Sequence, residues 1–332
     1  GRALLFDAES GEFFQAKRGW EHLVAKGTGG IGSDLDLPRM WARISEASRE
    51  VLSRSGVDPQ EVSAVGVSGM RFAFIVQDDK GRVLHAATNR DGRAAGSAMQ
   101  LAVEEGVEAT ALRTGHWPAS VLMASRLHWL RHGAGDLGKA ASRVLGASDW
   151  LLYELSGQVV TDTTQASNSG VFDLESGEWD AARLAELGVP DSWMPPIVSS
   201  GTPVGELSRA AAESLGLPAG IPVVAGGGDT QLALLGSGVV APGEAALVAG
   251  TTAPVQIVTA SPVRDTSVWT ECHVVPGRFV VESSAGALGR LVETLAFTMF
   301  PDAASPVARL LAEAGQGVPG AGGLVATVSR PV

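Results

Sequence analysis

The stretch Gly226-Gly227-Gly228-Asp229-Thr230-Gln231, with the later Gly250-Thr251-Thr252, constrains this chain more than any other part of it. An apolar run from Ile221 to Ala225 reads as a buried strand. Three glycines then let the backbone turn sharply and come close to a ligand. A lone carboxylate, Asp229, opens the apolar segment Leu232 to Leu235, which reads as helix. A second strand-like run, Ala245 to Ala249, ends in Gly-Thr-Thr. Strand ends that carry glycine, hydroxyls and one acid suit phosphoryl transfer. Backbone N–H groups and threonine hydroxyls can hold phosphate oxygens, and the carboxylate can take a proton from an attacking alcohol.

At 332 residues the chain exceeds what one compact core usually holds, so two domains are expected. Ala241-Pro242-Gly243 marks the boundary, giving units 1–240 and 241–332. A content of 45% apolar and 18% charged residues is that of an ordinary folded protein. The net charge of −11 argues against a nucleic-acid-binding surface. The single Cys272 excludes an internal disulfide and fits a reducing compartment. With no long apolar run and no leader before the first strand, the expectation is a soluble cytoplasmic protein without a membrane partner.

Along the chain, Leu4–Phe6 and Glu12–Gln15 read as a hairpin, and Asp36-Leu37-Pro38 starts a helix that runs through Val51. Val62–Val67, Phe72–Val76 and Val83–Ala87 read as strands. Residues 94–187 read as mainly helical, with a polar interruption from Thr161 to Ser169. Val204–Leu207, a helix over Ser208–Leu215, and Ile221–Ala225 form a strand–helix–strand unit. After Gly250 come the strands Val255–Thr259 and Arg278–Glu282, and Gly323–Val328 is again strand-like. Mixed in this way, the elements predict an α/β layered architecture.

Each motif has a plain reading beside the functional one. Asp229 could simply cap its helix, but three preceding glycines and the later Gly-Thr-Thr favour a catalytic role. Gly133 to Ala140 nearly matches a P-loop, yet Ala140 stands where a hydroxyl should hold magnesium, and helix rather than strand precedes it. It reads as a helix–helix turn. His128 and His132 are spaced for one helical face but lack the further ligands of a zinc site. Arg71 and the cluster Asn89-Arg90-Asp91-Gly92-Arg93 follow strands, where polar residues face ligands or solvent alike. The tract Asp162 to Asn168 is equally open. Trp117 and Trp150 read as core residues rather than sugar platforms.

Taken in order and spacing, several segments make the chain resemble the FGGY family of carbohydrate kinases over nearly its whole length. They are Val65 to Arg71, Asn89 to Arg93, Arg113-Thr114-Gly115, Ser125 to Trp129, Ser148-Asp149-Trp150-Leu151, Asp162 to Asn168, Gly226 to Gln231, and Gly250-Thr251-Thr252. Within the family, Gly-Gly-Gly-Asp-x-Gln and Ser-Asp-Trp-Leu look closest to the autoinducer-2 kinase branch, with xylulokinases beside it. The resemblance implies an actin-like, ribonuclease-H-like fold of two domains around a cleft, the second incomplete in this chain. It implies transfer of the ATP γ-phosphoryl group to a sugar or polyol hydroxyl with Mg2+, and suggests a homodimer.

By motif position, Asp229 would be the general base and a carboxylate near the metal. Gly250, Thr251 and Thr252 would line the phosphates, and Arg71, Asp91 and Gln231 would lie near the substrate. The family's Asp-x-Gly-Thr motif would fall just before Gly1, and its adenosine-binding segment beyond Val332. Phe72 stands where glycerol kinases carry glutamate, and Thr230 where they carry glutamine, which argues against glycerol. Two rivals accompany this reading: an actin- or chaperone-like ATPase with no sugar, and a degenerate kinase kept as a sugar sensor.

Overall fold

The computed structural model describes residues 1–248, 253–284 and 288–324. Gly250, Thr251 and Thr252 lie outside the described residues, as do Ala249 and most of the run Gly323–Val328.

The first hairpin pairs Arg2–Phe6 with Phe13–Lys17, Leu4 opposite Gln15. Helix Leu37–Ser55 packs on it through Ala47 and Val51, which meet Ala16, Ala3 and Leu5. Asp36 caps that helix, accepting from the Arg39 amide at 3.0 Å, which satisfies one of its orphan donors. Gly56, at φ +70°, ends it in the left-handed conformation that glycine adopts without strain.

Strand Phe74–Gln77 is buried at every position and lies inside a five-stranded sheet between Val83–Ala87 and Arg143–Leu145. Phe74 and Val76 pack with Leu127 and Leu130 of helix Met123–His132, while Ile75 joins Met40 and Trp150 on the other face. Burial on both faces explains why this segment reads as a continuous apolar run rather than an alternating one. The strand begins two residues later than the sequence suggests. Phe72 sits at φ +65°, outside any strand conformation.

The sheet that matters most has three strands in the order Pro203–Glu206, Pro222–Gly228, Val65–Gly69. The central strand is antiparallel to the first and parallel to the last. Helices Ala147–Ser156 and Arg209–Leu215 cover it, with Leu152, Leu155 and Leu215 against Val67, Val223 and Ala225. Parallel pairing brings two carboxyl-terminal strand ends side by side, Gly228 opposite Gly69. The chain therefore leaves for Arg71 and for Asp229 from adjacent points, and such strand ends are where ligands sit in open α/β sheets.

The three glycines differ from their sequence reading. They continue the strand to Gly228, and none has positive φ. What they permit is close packing: a Cβ at Gly226 would lie 2.0 Å from the Val67 carbonyl oxygen, where the register shifts between Ala225 and Gly227. The polar interruption at Thr161–Ser169 also differs, since Thr163–Ser167 is itself a short helix capped by Asp162.

Four strands form an antiparallel sheet ordered Ala245–Leu247, Pro254–Thr259, Phe279–Ser284, Trp269–Cys272. Its last strand, absent from the sequence reading, joins the rest of the molecule: the Thr270 amide donates to Gly115 O at 3.0 Å and the Cys272 amide to Ser167 Oγ at 2.9 Å. Helices Leu288–Met299 and Pro306–Ala314 follow. Among the described residues, no helix is long and apolar enough to cross a membrane.

Candidate active site

Asp229 is the first residue of helix Asp229–Gly236, and Gly228 occupies the cap position. The plain capping reading therefore fails, because its side chain accepts not from the next turn but from the Thr230 amide at 2.9 Å and Thr230 Oγ1 at 3.2 Å. Both bonds fall on Oδ1, and the residue is exposed. Its backbone is fixed from below. The Gly228 amide donates to Thr164 Oγ1 at 2.8 Å, and that hydroxyl donates to buried Asp162. Burial pushes the Asp162 carboxyl above its ordinary range, and hydrogen bonds from Thr164 and Gln165 oppose that push.

Arg71 leaves the neighbouring strand end and is nearly enclosed. Nη1 donates to both carboxylate oxygens of Glu271, at 2.7 and 2.8 Å, and to Asn168 Oδ1 at 3.3 Å. Nη2 donates to both oxygens of Glu282, at 3.1 and 3.0 Å. Burial alone would favour loss of its proton, but Glu271, Glu282 and the nearby charge of Asp229 outweigh it and hold the guanidinium more firmly charged. The two glutamates diverge. Burial would raise Glu271, yet Arg71 brings it below the usual carboxylate range; burial and the charge of Glu271 raise Glu282 despite Arg71.

Strand register explains why these acids converge. Glu282 lies directly opposite both Trp269 and Gln256 on its two neighbours, so the three side chains form a row on one sheet face. Glu271, two residues from Trp269, shares that face. Gln256 Nε2 donates to Glu282 at 2.8 Å. Buried Gln231, from the Asp229 helix, donates from Nε2 to Glu271. His116 Nε2 stands 3.9 Å from Glu271 Oε1. Trp269 packs on Phe72, His116 and Trp117, with ring centroids 5.9, 4.9 and 5.2 Å away.

Arg71, Gln231 and Asp229, singled out in the sequence, thus come together with part of the Asp162–Asn168 tract. Asp91 does not join them by any bond among the described residues. It is buried and accepts from the Ser33 amide at 2.9 Å and Arg93 Nε at 2.7 Å, organising its own loop. Trp150 is core, whereas Trp117 is only half-buried, in the aromatic group beside the site. In the P-loop-like segment, residues 133–135 turn the chain from helix Met123–His132 into the short helix Asp136–Ala140, where a Cβ at Gly138 would lie 2.0 Å from Leu130 O. His128 and His132 stack 4.5 Å apart on the first of these. Among the described residues, no group of three or more His, Cys, Asp or Glu could hold a metal ion.

Sequence reasoning missed Glu271, Glu282, Trp269 and His116 as members of the site. For Glu271 alone there was a signal, an acid set between Trp269 and Cys272, where an unpaired charge would be expensive to bury.

This mixed α/β arrangement is the actin-like ATPase fold of the sugar kinases, and the chain belongs to the FGGY family of carbohydrate kinases: the model of that family's N-terminal domain matches residues 1–236. Among particular relatives, it is 33% identical over 316 residues to an autoinducer-2 kinase of Escherichia coli, covering 94% of this chain and 58% of that protein. A xylulose kinase from Rhodospirillum rubrum superposes with a TM-score of 0.87 at 26% identity, over 98% of this chain and 66% of its own. A ligand-bound xylulose kinase from Lactobacillus acidophilus has the same fold, with a TM-score of 0.87 at 18% identity, over 98% and 65%. The chain therefore spans little more than half the length of its curated relatives.

Proposed function

We propose that this protein transfers the γ-phosphoryl group of ATP to a hydroxyl of a small sugar or polyol, with Asp229 as general base. The observation that carries the reading is the pairing of Gly228 with Gly69, from which Asp229 and Arg71 emerge side by side. An exposed carboxylate at a strand end can reach a bound alcohol, while the enclosed Arg71 group forms a rigid wall next to it. In the step itself, Asp229 takes the hydroxyl proton, the alcohol oxygen bonds to the γ-phosphorus, and the bond to the ADP oxygen breaks. General-base assistance is typically worth about 10²–10⁴-fold, so positioning must supply the remainder.

Family membership and the likeness to an autoinducer-2 kinase and to xylulose kinases support the sugar-kinase reading. Asp91 is proposed to shape the substrate loop, and Gly250, Thr251 and Thr252 to cradle phosphate. The match over residues 1–236 supports units 1–240 and 241–332. An oxygen donor such as Asp229 suits Mg2+, which is usually held by one or two carboxylates together with phosphates and water. When bound, that ion would neutralise charge on the phosphates; proton removal falls to Asp229. The decisive test follows the label of [γ-32P]ATP in the native gene product with ketopentoses, polyols and linear dihydroxypentanedione. Sugar-dependent transfer of label is expected. Label released only to water, at a rate indifferent to sugar, would overturn the reading.

A further inference from the structure

The Arg71 site carries a charge pattern beyond its general role. Its two terminal nitrogens are bound to four carboxylate oxygens and Asn168, so they have no contact left for an anionic ligand. Asp229 adds a third carboxylate within reach of the same cation. Around these acids stand buried polar atoms with no hydrogen-bond partner among the described residues: Gln231 Oε1, Gln256 Oε1, His116 Nε2 and Trp269 Nε1. His116 Nδ1 lies 3.1 Å from Thr114 O, a carbonyl that can only accept from it. Acceptors thus outnumber donors. A hydroxyl-rich neutral molecule can donate to them; a carboxylate has no proton to give and meets like charge.

We propose that Glu271 and Glu282 are specificity-determining residues: by occupying both terminal nitrogens of Arg71 they make the site accept uncharged polyhydroxylated molecules and reject the corresponding sugar acids. The proposal rests on the reading of this site as the sugar site and names its substrate class. An unguarded arginine at the same position would do the opposite, since a guanidinium binds carboxylate in bidentate fashion. Selectivity here comes as much from the repelled ligand as from the accepted one.

The test is equilibrium binding by calorimetry to the native gene product, with xylulose and xylitol against xylonate and gluconate, in wild type, Glu282→Gln and Glu271→Gln. Wild type is expected to prefer the neutral ligands by at least about 10²-fold, because sites built around buried polar groups discriminate strongly. Glu282→Gln, at the more accessible acid, is expected to narrow that preference by at least about tenfold as one like charge is removed. Equal or tighter binding of the acids by wild type would overturn the proposal, as would binding of neither class. So would an unchanged ratio in a folded Glu282→Gln or Glu271→Gln variant. Because binding needs no turnover, neutral-sugar selectivity without phosphorylation would overturn the kinase reading and leave this proposal standing.

Discussion

Arg126 donates from Nη1 to the carbonyl oxygen of Phe72 at 2.6 Å, and so pins a residue whose φ is +65°. A bulky residue in that conformation is strained and persists only where its surroundings over-determine it. Arg126 supplies that constraint from a buried position. It also donates to Thr88 O at 2.8 Å and Ser120 O at 3.3 Å, tying the Arg71-Phe72 turn to the loop that holds Asp91. Burial lowers its pKa to about 10, which still leaves it charged at neutral pH.

Arg126 is therefore a positioning residue for Arg71. Arg126→Lys retains the charge but cannot reach three carbonyls in a fork, and each buried acceptor left unmet costs about 1–3 kcal/mol. The expected result is a folded variant whose sugar KM rises at least about tenfold with kcat changed less, since the loss lies in ground-state organisation. A steady-state comparison of KM and kcat in the native gene product checks this. Unchanged KM would remove Arg126 from the site's support.

Gly226 tests how tightly the site's two strands must approach. A Cβ there would lie 2.0 Å from backbone that cannot swing aside. Gly226→Ala should destabilise by about 2–4 kcal/mol, at or beyond the usual range for overpacking. Urea unfolding measures it. A loss below about 0.5 kcal/mol, as for an innocuous surface change, would show that the strands separate easily.

Asp149 gives the fold a pH dependence of predictable sign. Its Oδ2 accepts the Gly146 amide at 2.7 Å, and Oδ1 has no partner among the described residues. Burial raises its pKa to about 7, with Asp162 adding to the rise and the Gly146 and Thr161 hydrogen bonds opposing it. The native state thus holds a proton that the unfolded chain gives up near pH 4. Its contribution is fully present below that pH and is lost as pH rises to about 7. Asp149→Asn removes this dependence, so the stability of the variant relative to wild type should improve by roughly 2–3 kcal/mol between pH 5 and 8. Denaturant melts at the two pH values check it, and a pH-independent difference would contradict it.

Local chemistry was legible in the sequence wherever neighbours decide it. Asp36 capping its helix, the strand through Ala225 and the helix opening at Asp229 all follow from adjacent residues. The Arg71 partners were not legible, because Glu271 and Glu282 stand 200 and 211 residues away along the chain. Strand Trp269–Cys272 was hidden for a related reason: its buried Glu271 breaks the apolar pattern, and partners from across the site, Arg71 and Gln231, make that burial tolerable. The helix Thr163–Ser167 is too short for a 3.6-residue period to register, although Asp162 marks its start. For the glycines, the sequence suggested a sharp turn towards a ligand, whereas the backbone stays extended to Gly228. The neighbour at Gly226 is a strand of the same sheet.

The proposed reaction turns on Asp229 taking the proton of the alcohol. Single-turnover phosphoryl transfer by Asp229→Asn in the native gene product, with sugar binding measured alongside, tests it directly. The account predicts near-normal sugar affinity and a transfer rate lowered by at least about 10²-fold, the least that a lost general base should cost. A variant that transfers phosphate at close to the wild-type rate would contradict it.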